Sequence, residues 1–130
     1  MTTELRMLAL STVLGLVQIL LSSQLGNLQR GYRWAAGSRD EPAPPLKGVA
    51  DRLDRALRNF LETFPLFAAA VLVAHVANRH DWMTVWGAHL YFWARVLFVL
   101  LYAFGVPLIR SLVWTVATIG IVLILVALRV

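Results

Sequence analysis

Residues 51–62 read DRLDRALRNFLE, and they open a long apolar segment with six charged side chains and one asparagine. On a helix at about 100° per residue, four polar side chains of this stretch fall within an arc of roughly 100°. They are Arg55, Arg58, Asn59 and Glu62. Burying such a face where a helix enters a membrane is costly unless other groups pair with it. The stretch therefore predicts one wall of a polar site.

The composition is that of an integral membrane protein. Of the 130 residues, 59% are hydrophobic and 15% are charged, and the mean hydropathy is +0.70. Soluble domains average about 45–50% apolar and about 25% charged residues. The absence of cysteine excludes thiolate metal sites. Because His75 and His89 also lack a second metal ligand at a suitable spacing, we expect no metal. No basic ribbon with interleaved aromatic residues occurs, so nucleic acid is not an expected partner.

Four apolar segments predict an all-α, membrane-spanning four-helix bundle that forms a single domain over residues 1–130. The expected helices cover about residues 5–27, 50–78, 82–104 and 109–129, and each is long enough to cross a bilayer. The polar segment at about 28–49 contains the run Glu-Pro-Ala-Pro-Pro, which cannot be helical throughout, and we expect it to form a loop.

The distribution of basic residues predicts the orientation in the membrane. Seven Lys and Arg residues lie between Gln29 and Arg58, whereas only Arg79 lies in the turn between the second and third segments. The positive-inside rule then places the first and third loops in the cytoplasm and both termini outside.

Antiparallel packing would bring five arginines to one end of this bundle, where the second and fourth segments begin and the third ends. This positive charge exceeds what Asp51, Asp54 and Glu62 can neutralise. Guanidinium groups match carboxylates bidentately, and helix N-termini add oriented donors, so an anion is the expected partner. The arginines are Arg52, Arg55, Arg58, Arg95 and Arg110.

Structural roles are the alternative for each of these residues. Basic residues that flank membrane helices are usually topogenic, which would account for Arg30, Arg33, Arg39 and Lys47. Within the second segment, Arg52 could pair with Asp51 or Asp54, and Arg58 with Glu62 at i, i+4. Arg95 lies deep in its segment and could pair with Glu62 or Asp51, because an isolated arginine in hydrocarbon costs at least about 2.5–3.5 kcal/mol. Tyr102 could belong to an interfacial aromatic belt.

Two motifs resemble the MAPEG superfamily, the membrane-associated proteins in eicosanoid and glutathione metabolism. The first lies in residues 52–65, and its matching positions are Arg52, Arg55, Ala56, Arg58, Asn59, Glu62, Thr63 and Pro65. The second lies in residues 94–114, at Ala94, Arg95, Tyr102, Pro107, Arg110, Ser111 and Trp114. A Gly-x-Arg-Asp element at residues 37–40 extends the resemblance to the first loop, so it covers nearly the whole chain.

The resemblance implies a homotrimer in a bacterial inner membrane that binds glutathione between subunits, near the cytoplasmic face. It implies ligand contacts by Arg58, Asn59, Glu62, Tyr102, Arg110 and Ser111, and we count Arg95 among the expected glutathione-binding residues. It further implies a contact from the first helix of the neighbouring subunit, through Arg30 or Arg33. Arg110 and Ser111 would be the catalytic residues, holding the thiolate as it attacks a lipophilic electrophile, in a transferase or peroxidase reaction.

One position departs from part of the family. Phe98 stands where the prostaglandin E synthase branch has a histidine, which disfavours the substrate chemistry of that branch. Two other functions remain open. The aromatic third segment is compatible with a non-catalytic, lipid-binding scaffold. A small four-helix multidrug transporter would require a membrane-embedded acid in the first helix, which has none after Glu4.

Overall fold

The computed structural model describes residues 1–130 and contains five α-helices and no β-strand. The helices are α1 (Thr3–Arg30), α2 (Tyr32–Ala36), α3 (Gly48–Val76), α4 (Trp82–Ala103) and α5 (Leu108–Ala127). All except α2 are long and apolar enough to cross a hydrocarbon core of about 30 Å. The predicted all-α, membrane-spanning fold is confirmed, and the chain is an integral, multi-pass membrane protein.

The first helix is longer than the sequence predicted. At its start, the Leu5 backbone N–H donates to Thr2 Oγ1 at 3.3 Å, which caps the helix. At its end, Gly26 and Asn27 remain helical, and the chain turns only at Gly31, where φ is +91°. Glycine adopts this conformation without the steric cost that a side chain would add, so the helix stops there.

The short α2 lies inside the segment that we predicted to be a loop. Trp34 holds it in place, because the indole Nε1 donates to the Glu41 carbonyl at 3.4 Å. The Trp34 ring also faces two guanidinium groups, those of Arg30 and Arg39, each 5.5 Å from the ring centroid. The segment between the first two membrane helices, predicted to be a loop at about residues 28–49, therefore contains one short helix, Tyr32–Ala36.

Contacts at both ends of the bundle show how the helices alternate in direction. Glu4 Oε1 accepts a hydrogen bond from Thr84 Oγ1 at 2.6 Å, which places the start of α1 beside the start of α4. At the opposite end, Arg52 Nε donates to the Ala103 carbonyl at 3.1 Å, which places the start of α3 beside the end of α4. Arg52 therefore does not pair with Asp51 or Asp54. We call this second end, where α5 also begins, the arginine end.

The polarity of α1 is inverted relative to a helix of a soluble protein. Its buried face carries polar side chains, namely Glu4, Ser11, Gln18 and Ser22. Its exposed face is apolar and includes Leu10, Leu16, Leu20 and Leu21. Polar groups are costly in hydrocarbon, so this distribution is the one expected of a helix that borders lipid.

Helices α4 and α5 make the closest helix contact, through two glycines. A Cβ atom added at Gly87 would lie 2.5 Å from the Gly120 carbonyl oxygen, and one added at Gly120 would lie 2.5 Å from the Gly87 carbonyl oxygen. Small residues at such a crossing allow two membrane helices to approach backbone to backbone. Because Gly87 lies near the start of α4 and Gly120 in the second half of α5, this contact joins the two helices on the side of the bundle away from the arginine end.

Candidate functional site

A polar cavity of about 500 Å³ lies at the arginine end, between α3, α4 and α5. Seven residues from these three helices line it, namely Asn59, Phe98, Tyr102, Arg110, Ser111, Trp114 and Thr115. Four of them, Asn59, Tyr102, Arg110 and Ser111, are residues that the sequence predicted to contact a ligand. The volume falls in the range of about 300–1,000 Å³ that is typical of small-molecule sites.

Arg110 supplies the positive charge of this cavity. Its guanidinium carbon lies 4.4 Å from the centroid of the Tyr102 ring, and its Nε donates to the Pro107 carbonyl at 3.3 Å. The three ion pairs of the structure are Arg55–Asp51, Arg58–Asp54 and His80–Glu4, so no carboxylate lies within 4.0 Å of Arg110. Its charge is therefore free to meet an anion from outside the protomer.

The two hydroxyl groups of the cavity differ in what they can offer a ligand. Thr115 Oγ1 donates to the Ser111 backbone carbonyl at 2.9 Å, one turn back on α5. The hydrogen of Thr115 is therefore engaged within the helix. Ser111 is exposed, and its hydroxyl makes no hydrogen bond to the protein. Ser111 can therefore donate to a bound molecule, as the sequence predicted.

Arg95 acts on the cavity from behind its wall. The residue is 1% exposed, and its Nη1 donates to Asn59 Oδ1 at 2.9 Å. Its guanidinium carbon also lies 4.4 Å from the Phe98 ring centroid and 5.4 Å from that of Phe60. No carboxylate lies within 4.0 Å, so Glu62 and Asp51, the partners suggested by the sequence, are not its partners.

The bond from Arg95 also orients the Asn59 side chain. Because Asn59 Oδ1 accepts from the guanidinium, the two N–H groups on Nδ2 remain as the donors that Asn59 can offer the cavity. A cationic guanidinium behind a neutral amide strengthens those donors by polarising them. Asn59 and Arg110 thus present hydrogen-bond donors to the same space.

Arg58 and Glu62 lie outside the cavity of the protomer, on an exposed face of α3. Arg58 Nη2 pairs with Asp54 Oδ2 at 2.8 Å, and Arg55 Nη2 pairs with Asp51 Oδ2 at 3.1 Å. The alternative of an Arg58–Glu62 pair was therefore wrong. Glu62 has no cationic partner within 4.0 Å, which leaves its carboxylate free.

Arg30 and Arg33 also lie outside the cavity, near the end of α1. Arg30 is engaged within the chain, because its Nε donates to the Pro44 carbonyl at 2.8 Å. Arg33 is exposed and makes no side-chain hydrogen bond. Of these two arginines, Arg33 is the one whose side chain is free in the protomer.

The sequence reasoning did not identify Phe98 and Thr115 as residues of the polar cavity. Each could have been found from helical spacing, because Phe98 lies one turn before Tyr102 and Thr115 one turn after Ser111. Two further aromatic residues of α4, Tyr91 and Phe92, do not line the cavity. Tyr91 and Phe92 are 0% and 8% exposed, and the Tyr91 hydroxyl is hydrogen-bonded to Thr63 Oγ1 at 3.0 Å, so they are core residues.

Comparison with known proteins now identifies the family. Neither the curated proteins nor the solved structures give a significant match. The family model described as MAPEG family matches residues 7–130, which is all of the chain except its first six residues. The match contains all four long helices from Met7 onward and every residue of the polar cavity. The chain therefore belongs to the MAPEG family.

Proposed function

We propose that the polar cavity binds glutathione and that the protein uses it as a membrane-bound transferase or peroxidase that acts on lipophilic electrophiles. The observation that carries the proposal is the Arg110 guanidinium, which lines the cavity without a carboxylate partner. Membership in the MAPEG family supports it, because that family includes glutathione-dependent transferases and peroxidases. Glutathione is an anionic tripeptide, so it supplies the missing negative charge.

The donors of the cavity suit both the carboxylates and the thiol of this ligand. Asn59 Nδ2 and Arg110 present N–H groups, and Ser111 presents a hydroxyl that has no protein partner. Positive charge and hydrogen-bond donors near a sulfur atom stabilise the thiolate relative to the thiol, and thereby lower the pKa of the thiol. The thiolate is the form that attacks electrophiles.

In the proposed transfer reaction, the glutathione thiol first loses its proton to solvent, and Arg110 and Ser111 hold the resulting thiolate. The sulfur electron pair then forms a bond to an electrophilic carbon, and the leaving group departs with the electron pair of the bond that breaks. With a lipid hydroperoxide, the sulfur would attack the outer oxygen instead. The O–O bond breaks, the alkoxide leaves and takes up a proton, and a second glutathione condenses with the sulfenic acid to give the disulfide and water.

We further propose that the complete site forms between subunits of a homotrimer. Arg58, Glu62 and Arg33 are exposed in the protomer, and each carries a charge suited to the ends of a glutathione molecule. Arg33 is favoured over Arg30 as the contribution of the neighbouring subunit, because Arg30 is already bonded to Pro44. In the orientation set by the positive-inside rule, this site opens to the cytoplasm.

Isothermal titration of the purified protein with reduced glutathione tests the proposal. We expect binding to the wild type, and binding weakened about 10- to 100-fold in Arg110→Ala, since charged hydrogen bonds contribute about 1.5–3 kcal/mol. Arg79→Ala is the matched control, because Arg79 lies in the turn at the opposite end of the bundle. A folded wild-type protein that does not bind glutathione at millimolar concentration would refute the proposal.

A further inference from the structure

A second concavity, of about 610 Å³, lies between α4 and α5. We call it the outer groove. Eight of its nine lining residues are hydrophobic, and the ninth is His89. The hydrophobic residues include Trp86, Trp93, Leu97, Val113 and Val116. At 100° per residue, the groove face of α4 lies roughly 140° from the face that carries Phe98 and Tyr102. Trp86, Trp93 and Leu97 are exposed, so the outer groove faces away from the bundle core.

His89 is the one polar residue that lines the outer groove. Its hydrogen-bond partner determines which ring nitrogen carries the proton. Trp93 Nε1, one turn further along α4, lies 3.2 Å from His89 Nδ1 and donates to it. An indole N–H is only a donor, so Nδ1 must be the acceptor, and the neutral imidazole carries its proton on Nε2. No group of the protein accepts a hydrogen bond from Nε2. The groove therefore contains an N–H donor without a protein acceptor.

The position of His89 along α4 makes this donor costly to leave unpaired. α4 has 22 residues and begins at Trp82, so His89 lies about 10 Å along a helix of about 33 Å. The hydrocarbon core is about 30 Å thick, which places His89 within it. Hydrocarbon offers no hydrogen-bond acceptor, and an unpaired donor there costs several kcal/mol. An acceptor carried by a molecule that dissolves in the membrane would remove this cost.

We propose that the outer groove binds a lipophile of the quinone type, which carries a carbonyl oxygen on a flat ring and an apolar tail. The carbonyl oxygen accepts the hydrogen bond from His89 Nε2. The ring packs against the indoles of Trp86 and Trp93, whose flat faces favour a planar partner. The tail follows the apolar wall from His89 to Leu97, about 12 Å along α4.

This site is separate from the polar cavity, and the proposal does not depend on glutathione binding. The two concavities share no lining residue. An added quinone and added S-methylglutathione, which has no free thiol to react with the quinone, should therefore bind without competing. Displacement of the quinone by S-methylglutathione would place the quinone in the polar cavity and would overturn the assignment to the outer groove.

The test uses the full chain in lipid nanodiscs, labelled with ¹⁵N-histidine. The chain has three histidines, and a His89→Phe variant assigns the His89 signals. We expect a decyl-substituted benzoquinone to shift the His89 Nε2 resonance, and decylbenzene, which lacks the carbonyls, to leave it unchanged. An Nε2 resonance that the quinone does not shift would overturn the proposal. In that case another acceptor, such as a phospholipid ester or a second copy of the chain, already holds the His89 N–H.

Affinity provides a second readout that does not depend on the labelled histidine. We expect His89→Phe, which keeps an aromatic ring, to bind the quinone about tenfold more weakly, the loss of one hydrogen bond. His75→Phe is the matched control, because His75 lies on α3 with its ring against His80, outside the groove, and it should bind as the wild type does. Equal affinity in His89→Phe and the wild type would contradict the proposal.

Discussion

At the residue scale, the buried Arg95 guanidinium determines what Asn59 offers the polar cavity. If Arg95 acts through Asn59, the two substitutions should not add. We expect Arg95→Met to weaken glutathione binding in the wild-type background and to have no further effect in an Asn59→Leu background. The coupling measured by titrating all four proteins should be about 1–3 kcal/mol, as for groups in one hydrogen-bond network. Fully additive losses would show that Arg95 does not act through Asn59.

The two hydroxyl groups of α5 give a second prediction at this scale. We expect Ser111→Ala to lower the turnover of a lipophilic electrophile by about tenfold or more, because it removes a donor to the thiolate. Thr115→Val should change turnover little, since the Thr115 hydroxyl is already bonded to the Ser111 carbonyl. Steady-state rates at saturating glutathione provide the comparison. Equal losses in both variants would argue against a specific role for Ser111.

At the element scale, the close contact between α4 and α5 should be intolerant of added volume. We expect Gly87→Ala to lower the free energy of unfolding by about 1–3 kcal/mol, because its Cβ would lie 2.5 Å from the Gly120 carbonyl oxygen. Gly26→Ala is the control, because the nearest atom to its Cβ would be 3.9 Å away. Thermal unfolding in detergent measures both variants, and a Gly87→Ala protein as stable as Gly26→Ala would contradict the close contact.

The pairing of Arg58 along α3 could have been predicted from the sequence. Arg58 has an acid four residues before it, Asp54, and another four residues after it, Glu62. The orientation with the acid nearer the helix N-terminus is the more favourable one, and the structure uses it at both Asp54–Arg58 and Asp51–Arg55. Spacing alone left both pairs open, but the direction of the helix, which the sequence also gives, favours the pair with Asp54.

At the scale of the whole molecule, the trimer proposal predicts complementation between subunits. Arg33→Ala and Arg110→Ala remove groups that we assign to two different subunits of one site. We expect homotrimers of either variant to bind glutathione weakly, and mixed trimers from co-expression to recover part of the binding, since some sites then contain both arginines. Titration of purified mixed trimers measures the recovery. Mixed trimers that bind no better than the two homotrimers would contradict a site shared in this way.

Hydropathy and charge predicted the four membrane helices and the clustering of arginines at one end, because both follow from the order of residues along the chain. To predict the polar cavity, one would need the rotation of α3, α4 and α5 relative to one another. The periodicity of a single helix does not give that rotation. That rotation places Asn59, Tyr102, Arg110 and Ser111 together and turns Arg58 and Glu62 outward. The Arg95–Asn59 hydrogen bond could not be predicted from the sequence for the same reason, since it joins positions 36 residues apart on different helices.

We propose above all that the polar cavity holds glutathione as its thiolate. An ultraviolet difference spectrum of the protein with and without glutathione at neutral pH tests it most directly, because the thiolate absorbs where the thiol does not. We predict a thiolate band for the wild type and for Arg79→Ala, and its loss in a folded Arg110→Ala protein at a glutathione concentration that saturates the variant. A band of equal height in Arg110→Ala, or none in glutathione-bound wild type, would contradict the account.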